Sequence, residues 1–224
     1  MSDDADKEVA KAVAAVSNAV GKTVDAASGV GRYLADTLGR IPEDLLGLLG
    51  GDWLHEQRKR NLSSLQEKTR IILESRPDVP LIEPSFSLVI LILENARDEG
   101  REEIVAIWAA LLAEAMSPNS GRVRRQFFDV VRKMEPDDAI VFDLYRNFPR
   151  YKNGERFMAS DWQNYLDTNL HLLDIPGNRR EMAHIALRLL GCISPWIELA
   201  ANPVIDRPTA LGEGLLDILP PRKF

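Results

Sequence analysis

Val9, Val13, Val16, Val20, Val24, Ala27, Gly31, Leu34 and Leu38 span 29 residues in eight steps, 3.6 residues per step. That is the repeat of an α-helix with one apolar side, so the chain opens with an amphipathic helical arm. Ala12, Ala15, Ala19 and Ala26 keep its surface small enough for another helix to approach closely. Gly29 and Gly31 each weaken it by roughly 1 kcal/mol relative to alanine, and Pro42 cannot continue it, so a break is expected near Ile41. A helix of this kind gains most of its stability from the surface its apolar face covers. Three surfaces are open to it: its own core, the arm of a second copy in a homo-oligomer, or a bilayer. Residues 1–50 carry eight acids and five bases, whereas a helix lying on anionic lipid usually presents Lys or Arg. Charge alone therefore favours protein over lipid.

The segment from Pro42 to Leu54 reads PEDLLGLLGGDWL, with Leu45, Leu48 and Leu49 crowded around three glycines. It suits a glycine-jointed turn or a short apolar probe. A charged helix is expected from about Asp52 to Ser75, in a stretch (51–76) with six bases and four acids. The loop RPDVPLIEPS comes next, its prolines marking the start of a core. FSLVILIL, Phe86 to Leu93, suits a buried strand or a buried helix; with no second strand-like run to pair it, helix is the reading, continuing through Asn95. The clearest helical pattern runs from Glu102 to Met116, and SPN stops it. Further helices are expected at Val123–Lys133, Pro136–Arg146, Ser160–Leu173, Arg179–Leu199 and Thr209–Leu219. The fold class is thus all-α, a helical arm followed by a multi-helix bundle, with an arm and turn at 1–50, a connecting helix at 51–76 and a core at 77–224.

Composition narrows the function. The chain has 224 residues, 45% of them hydrophobic, enough for a real core. Lys and Arg number 28 against 34 acids, a net charge of −6, which disfavours a general nucleic-acid coat while leaving room for a local basic patch. The single cysteine, Cys192, and the acidic start at Asp3, Asp4 and Asp6 make a cytoplasmic protein the expectation. No apolar run is long enough for an ordinary transmembrane helix.

Each motif that could carry chemistry is incomplete. Gly21, Lys22 and Thr23 end like a phosphate-binding loop, but Val16 stands where its first glycine belongs and no strand precedes it. Gly29 and Gly31 begin a dinucleotide-type glycine pattern in which Leu34 replaces the third glycine. His55 and Glu56 open a zinc-protease pattern that Lys59 fails to close. Glu181 and His184 have the spacing of half a carboxylate di-iron site, without the other half. Cys192 sits in apolar LLGCIS, the setting of an inert thiol. Carboxylates from separate helices, Glu102, Glu103, Asp137 and Asp138, would be needed for a nuclease or other hydrolase; they equally suit helix N-termini. No cofactor, metal or catalytic residue is called for. Two basic clusters, Arg58, Lys59 and Arg60 and then Arg122, Arg124 and Arg125, read as solvated surface or as a face for an acidic partner, anionic lipid or nucleic acid.

The order and wording of these segments resemble the bacterial Abi-alpha family, associated with abortive phage infection. The resemblance lies in GRYLADTL, LLGLLGGDWLHEQRKRN, PLIEPS, KMEPDDAIVFDLY, NLHLLDIPG and TALGEGLL, and most of all in EEIVAIWAALLAEAMSPN, with Glu103, Trp108, Ala109, Leu111, Leu112 and Met116. It implies an all-helical cytoplasmic protein of antiphage defence that arrests or kills its host, and it brings no catalytic residues. The expectation is a non-enzymatic protein whose apolar arm engages membrane or self-associates. The arm's face of Val9, Val13, Val16, Val20, Val24, Leu34 and Leu38, with Leu45, Leu48 and Leu49, would make the contact. The alternative is a soluble oligomeric module that binds a phage or host macromolecule.

Overall fold

The structure, a computed structural model, describes residues 29–39, 53–148, 159–173, 175–196 and 205–220. The described chain is predominantly α-helical, with one two-stranded ribbon. It divides into two compact units, Met1–Arg124 and Arg125–Phe224.

The first unit contains α1 (Gly29–Gly39), α2 (Trp53–Glu74), α3 (Phe86–Ala96) and α4 (Glu102–Ala115), then a single 3₁₀ turn at Ser120–Arg122. α4 is its centre. From Ile104 to Ala115 every residue except Ala106 is buried, Trp108 and Glu114 among them, as befits a helix apolar on all sides. α2 and α3 pack on α4, and α1 packs on α2. α3 is the stretch FSLVILIL, and it buries Val89, Ile92, Leu93 and Ala96. α1 is the last part of the periodic arm; Leu34 and Leu38 are buried, and the Tyr33 hydroxyl donates to the Ile82 carbonyl. The rest of the arm, through residue 28, lies outside the described residues.

The second unit contains α5 (Arg125–Val131), α6 (Pro136–Leu144) running into a 3₁₀ turn (Tyr145–Asn147), α7 (Ala159–Leu172), α8 (Gly177–Leu189), strands β1 (Ile193–Trp196) and β2 (Ile205–Pro208), and α9 (Ala210–Leu216). α6 has Pro136 in its first turn and a capping box in which the Glu135 amide donates to Asp138, 2.8 Å. Asp137 and Asp138 both lie in the first turn of α6, as Glu102 and Glu103 do in α4.

The helix expected from Arg179 to Leu199 does not reach Leu199 but stops at Leu189. Gly191 takes φ 70°, the Cys192 amide bonds back to the Leu187 carbonyl, and the Gly191 amide to the Arg188 carbonyl, the paired bonds of a Schellman stop. The chain then pairs antiparallel, Ile193 opposite Pro208 and Trp196 opposite Ile205, so the first of the two strands takes the place of the expected continuation of the helix.

Candidate functional site

Three of the six side chains in the predicted basic clusters, Arg58, Arg60 and Arg122, are engaged by the fold. Arg58 grips the Asp98 carboxylate with two nitrogens, 2.6 and 3.2 Å, and this holds the Asp98 carboxyl below its ordinary pKa. Arg60, exposed, donates to Gln57, and Lys59 is half-buried. Arg122 and Arg76 each place a nitrogen 3.2 Å from Glu114, whose carboxylate is buried at the end of α4. Arg124 and Arg125 are exposed. Of the predicted apolar face, Leu34 and Leu38 are buried in the first unit, while Val9, Val13, Val16, Val20, Val24, Leu45, Leu48 and Leu49 lie outside the described residues. The segment PEDLLGLLGGDWL, read from the sequence as a turn or a short apolar probe, ends at the start of α2, where Trp53 is 74% exposed and Leu54 40%. Among the described residues, no helix is long and apolar enough to cross a membrane.

The second unit carries a groove of about 610 Å³. One wall is α7, with Gln163, Leu166, Asp167 and Leu170; the other is α8, with Gly177, Arg180, Glu181, His184, Ile185 and Arg188. Each set recurs at three and four residues, so each wall is one face of its helix. Tyr145 and Asp206 complete the lining.

An aromatic cluster sets this lining in place. Trp162 is buried, stacks on Tyr165 with centroids 5.1 Å apart, meets the edge of Phe148 at 4.9 Å, and donates its indole N–H to the Asp206 carbonyl at 3.1 Å. Arg188 takes the Asp206 carboxylate with two nitrogens, 2.8 and 2.7 Å, which raises the Arg188 pKa. Tyr145 Oη and His184 Nδ1 share a hydrogen bond of 3.0 Å. Burial raises the Tyr145 pKa and lowers that of His184, so at neutral pH the pair is an uncharged phenol on an uncharged imidazole. His184 is thus tied to Tyr145, and among the described residues no three His, Cys, Asp or Glu side chains gather closely enough to hold a metal ion. Asp137 pairs with Arg179 at 2.6 Å. Cys192 is buried, and burial pushes its thiol up to about 12, so thiolate chemistry at neutral pH is closed to it.

No curated protein and no solved structure matches the chain. A family model does match, over residues 57–194. That span takes in most of α2, all of α3 to α8, and both walls of the groove. PLIEPS, EEIVAIWAALLAEAMSPN, KMEPDDAIVFDLY and NLHLLDIPG fall inside it, and GRYLADTL and TALGEGLL outside. With well over half its length matched, the chain belongs to the abortive infection alpha family, and its biology is that of abortive-infection defence.

Proposed function

We propose that this protein is a non-enzymatic effector of abortive infection that rests in the cytoplasm and acts on infection by bringing its N-terminal segments to a membrane surface. The observation that carries the reading is the exposure of Trp53 and Leu54 at the start of α2. Their apolar surface continues the leucine-rich stretch that precedes them in sequence, and tryptophan is the side chain best suited to a membrane–water boundary. Arg60 is exposed one and a half to two turns further on, where anionic headgroups would meet it. The helical core supports the reading from the other side. Leu34 and Leu38 are seated in the first unit, so the end of the arm is held by the protein; on this reading the valine face that the sequence sets from Val9 to Val24 is what the membrane receives.

Co-sedimentation of the full chain with phosphatidylglycerol-rich vesicles tests this. Wild type is expected to bind, and Trp53→Ser with Leu54→Ser to bind at least tenfold more weakly, since burying even part of the two exposed side chains contributes about 1.4 kcal/mol or more. Equal binding by both proteins, or binding by neither, removes the mechanism.

One observation favours the soluble module as a second reading. Met182, Ile185 and Leu189 are exposed on α8 at 66%, 48% and 83%, a stripe at helical spacing that suits a protein partner. A stable oligomer in light scattering, with no vesicle affinity, would select it.

A further inference from the structure

The groove of the second unit holds polar groups that the fold does not use. Tyr145 and His184 engage each other, and Arg188 and Asp206 cancel as a two-bond ion pair. Arg180 donates its Nε to the Ile175 carbonyl at 2.8 Å, and among the described residues no bond holds its terminal nitrogens. Glu181 is exposed on α8 with its carboxylate uncommitted among the described residues, and the Asp167 carboxylate on α7 accepts only from Gln163 there, at Oδ1. With His184 neutral, one guanidinium stands against two carboxylates. Leu166, Leu170 and Ile185 supply the apolar part of the walls.

This combination selects by chemistry. An anion would face two carboxylates, and a wholly apolar ligand would strip water from them without replacing it. A lysine or arginine side chain satisfies both parts, its aliphatic stem lying on leucine and isoleucine and its cationic head reaching the carboxylates. The form of the groove points to a chain segment. Its walls follow one helix face from Gln163 to Leu170 of α7 and from Gly177 to Arg188 of α8, seven and eleven steps along the two helices, roughly 10 and 16 Å at 1.5 Å per step. That is a trough between two helices, the form in which apolar anchors at regular spacing are read along a partner's backbone.

We propose that the groove between α7 and α8 docks a segment of a partner protein carrying lysine or arginine between apolar residues. The probe is a fluorescein-labelled decapeptide of alternating leucine and lysine, titrated against the full chain by fluorescence anisotropy. Its control is the same peptide with glutamate for lysine, and spermidine serves as a free-amine competitor. The lysine peptide is expected to bind and the glutamate peptide to bind far more weakly. Asp167→Asn with Glu181→Gln, both at exposed positions that the fold tolerates, is expected to weaken the lysine peptide about tenfold, the sum of two partly solvated ion pairs. No binding, equal affinity for the two peptides, or an unchanged affinity in the double variant would overturn the proposal. So would displacement by spermidine at the peptide's own concentration, which would make the groove a site for free amines.

Discussion

Gln66 is wholly buried in α2, and neither atom of its side-chain amide has a hydrogen-bond partner among the described residues. One turn on, Thr69 is equally buried but returns its hydroxyl to the Leu65 carbonyl at 2.7 Å. The contrast fixes the sign of a substitution: Gln66→Met keeps the length of the side chain and removes an amide that gave up water for nothing. It should stabilise the first unit by about 1 kcal/mol or more, read as a rise in the chemical denaturation midpoint; a fall would mean that the amide has a partner after all. Glu114 shows the opposite arrangement, a buried carboxylate answered by two guanidinium groups. The sequence displayed Arg122 as part of a basic cluster, and nothing in local spacing could reveal that its charge is directed at a glutamate eight residues earlier. The same holds for Arg58, whose partner Asp98 is 40 residues away. Charge runs are legible in a sequence; their neutralisation across helices is not.

At the scale of elements, the periodic segments were legible because one helix face had to be buried. α2 to α7 fall within a residue or two of their expected bounds, the 3₁₀ turn extending α6 and α5 being two residues shorter at each end than Val123–Lys133. The ribbon was not legible. ISPW and IDRP are four residues each, contain Pro195 and Pro208, and show no apolar alternation. Their pairing rests on the stop at Gly191 and on the anchoring of α9 against the ribbon. Thr209 caps α9 by accepting from the Gly212 amide and donates its own amide to the Cys192 carbonyl at 3.0 Å. That brings α9 so close to the Cys192 backbone that a Cβ on Gly212 would lie 2.0 Å from its carbonyl oxygen. Gly212→Ala must push α9 off the ribbon and should cost about 3 kcal/mol, measured by urea denaturation; a cost below about 0.5 kcal/mol would contradict the close approach. The groove escaped sequence reasoning for a related reason. Only Glu181 and His184 stood out, as half of a metal motif, whereas the lining draws on the turn after α6, on α7, on α8 and on β2.

For the whole molecule, the family match and the helical fold agree with what the order of segments implied, and the family is shown by the part of the chain after residue 56. The arm precedes that part, and its repeat of 3.6 residues over Val9 to Leu38 is the feature that most needs a partner surface. On this account the core holds the end of the arm, and defence results when the remaining valine face and the Trp53 region meet a membrane. The most direct test is made in phage-infected cells producing either the wild-type chain or Val20→Asp, with membrane potential followed by a voltage-sensitive dye. Wild type should depolarise the host before phage release and limit plaque formation, while Val20→Asp, with a charge set into the middle of the apolar face, should do neither. Full protection by Val20→Asp, or protection by wild type with the potential intact, would contradict the account.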